Sequence, residues 1–588
     1  MTSSNKKSDR NQPESGRKLP IPYIPASENP REITVTSILL GILLAVVFGA
    51  ANAYLGLRVG LTVSASIPAA VVSMCLLRMV LRRDSVLENN IVQTIGSAGE
   101  SLAAGAIFTM PALFMWASEG KTTLPGFLPV TVLALAGGVL GVLFMVPLRR
   151  PLIVDEHDKL IYPEGTACAD VLLAGEEGGS GAKGILAGLG VAAALKMVTD
   201  WFKWIPSAVS IPVKTVRGEL GLDVSPALLG VGYIVGPRIA TLVFAGSFFG
   251  WMVLIPCFAF WGDADLYAKA GATGIWKEYV RFIGAGAIAA GGFFSLFRSM
   301  PVFFRSLRQK RGGASGGGDA ELRTGRDLPL KRVLIGIVCV IAILAALPAA
   351  PVGIGGALLI ALFGFMFAAV SARMVGFVGS SNNPISGMTI ATVIVCAFAL
   401  KSTGTVGSAG LTATIAIASV VCITAAIAGD TAQDLKTGFL LGATPWKQQL
   451  GELAGVAASS LAICGVLYLL HAAWGFGSDS IPAPQATLMK MLTDGVMGGQ
   501  LPWELLAVGA MLAVVLEMLK VPVMPFAIGL YLPIRLNATI MLGGLLRVAF
   551  QRWQKTREDG FTLVSAGLIA GEGIAGIALA IITLCCKR

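Results

Sequence analysis

Apolar stretches of about 20 residues recur along almost the whole chain, and that is the length a helix rising 1.5 Å per residue needs to cross a hydrocarbon core about 30 Å thick. They fall at 33–57, 59–81, 91–116, 127–148, 184–205, 225–243, 244–261, 279–304, 333–350, 352–375, 385–401, 408–428, 454–476, 503–519, 521–546 and 561–585. The spacing predicts an all-α polytopic membrane protein with about sixteen transmembrane helices, or fourteen if the pair at 225–261 and the short run at 385–401 count for less. Of the 588 residues only 13% are charged, against roughly a quarter in soluble domains. The 72 glycines lie mostly inside the apolar runs, where small residues let helix backbones approach closely.

The net charge of +11 sits largely between apolar runs, where it sets orientation and meets anionic headgroups. Nucleic acid is therefore not an expected partner; the lipid bilayer is, and a homo-oligomer stays open. Nine scattered cysteines without metal-ligand spacing point to neither a zinc site nor a disulfide framework. Residues 1–32 are polar and lack the short apolar core of a signal peptide, so they read as a disordered cytoplasmic tail. The glycine-rich, charged stretch 305–332 reads as a cytoplasmic linker between an N-terminal half (33–304) and a C-terminal half (333–586). The tail carries Lys6, Lys7, Arg10, Arg17, Lys18 and Arg31, and the linker eight further Lys or Arg residues, so both face the cytoplasm. On that count Arg547, Arg552, Lys555 and Arg557 fall on the wrong side if 521–546 crosses once. Either that segment is re-entrant or one span is miscounted, and Pro522, Pro525, Pro533 and Arg535 support the first.

Three pairs of strings suggest a duplication. SAGES with LAAGAI (97–107) parallels IAGDT with LKTGFL (427–440), SASIPAAVV (64–72) parallels SGMTIATVI (386–394), and YPEGTACADVLLAG (162–175) faintly parallels LPIRLNATIMLGG (532–544). Carriers are often built from related halves with a site between them.

A carboxyl group inside an apolar helix is costly and by default functional. Glu100, Asp430 and Glu572 are such groups, and each is a candidate for loading and releasing a proton as access alternates. GSSNNPISGMT (379–389) breaks the apolar pattern with Asn382, Asn383 and Pro384 just before a helix, where free backbone groups would hold an anionic substrate end; a plain loop with a capping Asn383 is the alternative. Arg238, in the break GVGYIVGPRIA, and Arg535 are candidate partners for a substrate carboxylate. In 160–178, Tyr162, Glu164, Thr166 and Asp170 either line a gate or form a solvated helix. Asp434, Lys436, Lys447 and Gln448 read as interfacial and solvated. The two histidines, His157 and His471, lie far apart, and no phosphate-binding glycine loop precedes a Lys-Ser or Lys-Thr pair, so neither enzyme nor ATPase chemistry is expected, nor a cofactor or metal site.

These strings resemble the oligopeptide transporter superfamily over nearly all of 29–585. NPREITVTSILLG followed by NAYLGLRVGLTVSASIPAAVV is similar to its opening spans. ENNIVQTIGSAGESLAAG resembles its Glu-Asn-x-x-Val-Gln-Thr segment, which makes Gln93 a candidate binding residue, and AGDTAQDLKTGFLLGATPWKQQ resembles its most distinctive stretch. YPEGTACADVLL resembles the motif of the yellow-stripe-like branch at Tyr162, Pro163, Gly165, Thr166 and Ala167, departing from it at Glu164. The resemblance implies about sixteen helices and secondary active, proton-coupled import of oligopeptides or peptide-like metal chelates across a bacterial-type inner membrane. A gradient-independent channel and an intramembrane enzyme are the rival readings.

Overall fold

The computed structural model describes residues 22–60, 62, 64–77, 82, 85–176, 181–213, 215–261, 266–294, 322–346, 351–380, 383, 385–478, 480–498, 502–553 and 558–586. The expected tail up to residue 21 and most of the expected linker lie outside these residues. The N-terminal half holds helices α1 (Val35–Val59), α2 (Ser66–Cys75), α3 (Val86–Ile107), α4 (Pro111–Ser118), α5 (Phe127–Arg149), α6 (Pro163–Glu176), α7 (Gly181–Lys196), α8 (Pro226–Val235), α9 (Pro237–Phe249), α10 (Ile255–Trp261), α11 (Leu266–Ile275) and α12 (281–294). The C-terminal half holds α13 (Leu330–Ala346), α14 (Gly353–Val378), α15 (Ile385–Ser402), α16 (Gly407–Leu441), α17 (Pro445–Trp474), α18 (Pro484–Met497), α19 (Trp503–Met518), α20 (Val523–Tyr531), α21 (Ile534–Trp553) and α22 (Glu558–Cys586). An antiparallel hairpin that the apolar pattern did not announce, β1 (Ala208–Val213) with β2 (Gly218–Asp223), lies between α7 and α8 and pairs Ala208 with Asp223.

Among the described residues, 11 helices are long and apolar enough to span a bilayer, and the chain is an all-α integral membrane protein. Several of the apolar stretches are broken among the described residues. Helix α8 has 10 residues and α20 has 9, about half a crossing at 1.5 Å per residue.

Local chemistry sets the breaks. Thr34 and Ser37 form a reciprocal capping box that starts α1, and Gly60 ends it at φ 74°, the left-handed conformation glycine adopts without a Cβ penalty. Gly379 ends α14 at φ 84° and ψ 164°, an extended conformation with positive φ that also favours glycine. Opposite each break sits the start of another helix. Tyr162 N donates to Gly376 O at 3.0 Å, just before α6, and Ala483 N donates to Leu57 O at 2.8 Å, just before α18. Tyr162 and Ala483 share left-handed φ values of 52° and 42°, and a proline opens each helix. Thr166 and Thr487 each turn a hydroxyl back to a carbonyl five residues earlier, on Ile161 and Pro482. The start of α6 thus docks on the α14–α15 break, and the start of α18 on the α1–α2 break.

The same reciprocity recurs at the interlocked pairs α8–α9 and α20–α21. Gly232 fits beneath the Ile540 carbonyl and Gly529 beneath that of Val243, while Gly543 meets the Leu229 carbonyl and Gly246 that of Phe526. These are two pairs of equivalent contacts at one constant spacing along the chain, and any side chain there would strike backbone. Asn537 Nδ2 donates to Gly529 O at 3.2 Å, eight residues back; a straight helix would separate the two by about 12 Å, so the chain bends between α20 and α21, and both helices pack on α9. Helices α7 with α22 and α12 with α19 repeat the pattern, Gly188 meeting Val564 O and Gly567 meeting Ile185 O, as Gly509 meets Ile283 O and Gly286 meets Leu506 O. The counterpart of 162–175 is therefore the start of α18, not 532–544; the latter match came from shared glycine and alanine content.

Two expected flexible segments are anchored where described. Glu32 is buried, with its Oε1 3.2 Å from Arg323 and 3.1 Å from Lys447, and its Oε2 accepts from Thr444 N at 2.9 Å. Arg149 forks onto Asp327 at 2.6 and 2.9 Å. Polarity alone suggested solvated chain at 22–32 and 322–332, but Glu32 with Arg323 is tied to the start of α17 and Asp327 to the end of α5. The central bundle, α3 and α16 flanked by α5 and α17, is the most buried part of the fold.

Candidate functional site

Helix α3 presents Gln93, Ser97, Glu100 and Ser101 on one face, at spacings of three and four residues, and α16 answers with Asp430 and Asp434, one turn apart. Glu100 accepts from Asn52 Nδ2 on α1 at 2.9 Å and from Ala65 N at 3.2 Å, so the α1–α2 break is aimed at it. Asp430 accepts from Ser380 Oγ at 3.2 Å, so the α14–α15 break is aimed at this second acid. Gln93 Nε2 donates to Asp434 Oδ1 at 2.5 Å, and Ser97 Oγ donates to Asp434 Oδ2. Glu452, on α17, lies within hydrogen-bonding reach of the Asp434 carboxyl. Glu100, Asp430, Asp434 and Glu452 are 4%, 1%, 1% and 1% exposed.

No Lys or Arg pairs with these four acids among the described residues. Both Glu452 oxygens, Asp430 Oδ2 and Gln93 Oε1 are buried without a hydrogen-bond donor. Two unit charges 4 Å apart repel by about 4 kcal/mol at an effective dielectric constant of 20. Such a cluster calls for positive charge from protons or from a cationic group of a solute.

Asn383 lies at the second break, where its Nδ2 donates to Ser371 Oγ at 2.7 Å and its Oδ1 is buried without a partner. Asn382 and Pro384 lie outside the described residues. Glu164, the departure in the α6 motif, accepts from Ser380 N at 2.9 Å, which brings a fifth acid to the same break. Tyr162 is fully buried, with its hydroxyl on Ala372 O at 3.2 Å, and Thr166 is spent on the cap of α6; both hold the helix start in place. Arg238 is exposed beside Lys520 and away from the acids.

Glu572 stands apart from the cluster. Its Oε1 is 3.0 Å from Arg58 and 3.6 Å from Lys196, and its Oε2 accepts from Ser225 Oγ at 2.7 Å and from Ala227 N at 2.9 Å. Arg535 meets Asp223 at 3.4 Å in the same network. Of the proton-coupling candidates, the structure brings Glu100 and Asp430 together and gives Glu572 two cations.

Sequence reasoning missed Asp434 and Glu452. Asp434, Lys436 and Gln448 are 1% exposed each, not interfacial and solvated as expected, because α16 runs on through residue 441 well past the apolar stretch. The i, i+4 pairs Asp430/Asp434 and Gln448/Glu452 were the available signal. Lys436 points away from the acids, with its Nζ 2.5 Å from His157 Nδ1. In the loop before α6, burial and this neighbouring ammonium hold His157 below the usual imidazole range.

Paired helix breaks aimed at buried carboxyls, in a duplicated bundle of spanning helices, define a membrane transporter. The profile described as "OPT oligopeptide transporter protein" matches residues 32–583. A protein of Haemophilus influenzae named "Putative oligopeptide transporter" is 34% identical over 90% of this chain and 92% of its own length. A "Probable metal-nicotianamine transporter" of Arabidopsis thaliana is 25% identical, covering 76% of this chain and 73% of its own, and one of Oryza sativa subsp. japonica is 24% identical, covering 92% and 84%. The chain belongs to the OPT oligopeptide transporter family and is a transporter rather than an enzyme.

Proposed function

We propose that the protein is a secondary active, proton-coupled importer of short peptides or peptide-like metal chelates, seated in a bacterial-type inner membrane with its N-terminus cytoplasmic. The observation that carries this reading is the set of four buried carboxyls, Glu100, Asp430, Asp434 and Glu452, with no Lys or Arg among the described residues to neutralise them. Protons arriving from one side neutralise the cluster, and the neutral form lets the helix breaks rearrange around it; release on the other side resets it. Glu100 and Asp430 each take hydrogen bonds from one break, so a change of charge at either acid is felt where a helix is interrupted. Asn383 and Gln93, which lie beside the cluster, bind the solute, and the neighbouring Asn382 and Pro384 are proposed to do so with them. Glu572 serves as an anchor for Arg58 and Lys196. The names of the plant relatives favour including metal chelates in the substrate class.

Proteoliposomes containing the full chain test this with a panel of di- to tetrapeptides and iron–nicotianamine. Accumulation against a concentration gradient that requires an inward proton gradient is the expected result. Downhill flux indifferent to that gradient would instead describe a channel.

A further inference from the structure

Helix α1 leaves the Glu32 face of the molecule and ends at Arg58, beside a cavity of about 680 Å³. Arg58, Lys196, Lys203 and Arg535 line it, together with the rings of Tyr54 and Trp474. A smaller space of about 60 Å³ adjoins it, shares Arg58 and Arg535, and adds Lys277 and Arg281. Leaving Lys277 aside, five cationic side chains, Arg58, Lys196, Lys203, Arg281 and Arg535, stand against three carboxylates, Asp200, Asp223 and Glu572. These carboxylates are already engaged: Asp200 lies 2.6 Å from Lys196, Glu572 is bonded as described, and Asp223 is shared by Arg535 and Arg58 at 3.4 and 4.0 Å. Lys203 makes no ion pair among the described residues, and Arg281 is held by Tyr531, its Nε donating to the hydroxyl at 3.2 Å.

Positive charge thus exceeds negative in a space of ligand size, at the end of α1 opposite Glu32. Arg58 and Lys196 are largely buried and already paired, whereas Lys203 is exposed with no ion pair among the described residues, so an anion entering the space meets a cation still open to it. Arg58 is the weak point of the network, since its contact with Asp223 is long, and its guanidinium fork suits a planar oxyanion. The Arg58 and Lys196 charges lie 5.9 and 5.6 Å from the centre of the Tyr54 ring, which keeps both turned to the cavity wall. Asn52 on the same helix bonds Glu100, about 9 Å along the axis from Arg58, so an anion in this cavity and a proton at the acid cluster act on one helix.

We propose that this cavity is the outer binding site for the transported solute and selects solutes with two or more oxyanion groups, as in an acidic peptide or a chelate with free carboxylates. An incoming carboxylate takes Arg58 over from Asp223 and is met by Lys203 and Arg535. This rests on the transporter reading above and names the charge class of its cargo.

The test uses the full chain in phosphatidylcholine nanodiscs, with citrate as the polyanionic probe and its uncharged triamide as control, read by calorimetric titration and thermal unfolding. Citrate is expected to bind saturably and raise the Tm, the triamide to do neither, and Lys203→Gln/Arg535→Gln to weaken citrate at least tenfold. Because Arg58→Gln alone strands Glu572, the charge-neutral Arg58→Gln/Glu572→Gln pair is the second variant and is expected to weaken citrate similarly. No saturable binding, or unchanged affinity in both double variants, overturns the proposal. A rise in Tm in phosphatidylglycerol nanodiscs, with no citrate binding in phosphatidylcholine, assigns the cavity to a lipid headgroup and also overturns it. Because binding is read without any gradient, citrate binding without proton-driven uptake would break the coupling reading and leave the site, and uptake without citrate binding would break the site alone.

Discussion

Arg58 brings its Nη1 to 3.0 Å from Glu572 Oε1, across 514 positions of sequence, and so ties the first helix of the bundle to the last. Both groups are largely withdrawn from water, at 19% and 2% side-chain exposure. Glu572→Gln leaves Arg58 with only the 4.0 Å contact to Asp223 and Lys196 with Asp200. Removing one partner of a buried pair costs about 3–5 kcal/mol, so we expect a clear drop in Tm for Glu572→Gln and partial recovery in Arg58→Gln/Glu572→Gln. A thermal-unfolding double-mutant cycle measures the coupling, and simple additivity would show that the pair does not hold α1 to α22.

Glu452 and Asp434 share the other end of the mechanism. Glu452→Gln and Asp434→Asn each remove one site for a proton while keeping shape, so proton-driven accumulation is expected to fall at least tenfold with counterflow exchange retained. Loss of both activities together, with normal folding by gel filtration, would point to a packing role instead.

Gly232 and Gly529 occupy equivalent places in the interlocked hairpins, each against a partner carbonyl. Overpacking a tight contact costs about 1–3 kcal/mol or more. Gly232→Val and Gly529→Val are expected to reduce folded yield in detergent to the same degree. A large reduction from one and none from the other would be inconsistent with the reciprocal packing.

His157 accepts from Lys436 and is held below the ordinary imidazole value of 6.5 by burial and that charge. The folded state therefore binds fewer protons here than the unfolded state, so stability is present above that value and is lost as pH falls from it towards the folded one. The effect is small, because the ring is partly exposed. Tm measured at pH 7.5 and 5.5 should fall less in His157→Gln than in the wild type; an equal fall would place the acid sensitivity elsewhere.

How much of this was legible beforehand depends on which physical signal each feature leaves. Spanning helices leave a long one, since hydrocarbon admits about 20 apolar residues per crossing, and Glu100 and Asp430 stood out against it. The prolines around Arg535 foretold the break between Tyr531 and Ile534. Asp434, Glu452 and Arg58 gave no such contrast: each lies near the end of an apolar run, where a charge reads as interfacial, and only the packing of α16 and α1 shows them enclosed. The reciprocal glycine contacts were hidden for the opposite reason, because glycine-rich strings match one another everywhere. What separates true equivalents is which carbonyl each glycine meets, and that is set by tertiary structure.

The central claim is that protons move with the solute through the carboxyl cluster. Liposomes loaded with a pH-sensitive dye and containing the full chain measure this directly when the peptide and iron–nicotianamine panel is added outside. The account predicts internal acidification that depends on substrate and disappears in Asp434→Asn/Glu452→Gln. Solute entry with no change in internal pH, at the same rate in that variant, would contradict it.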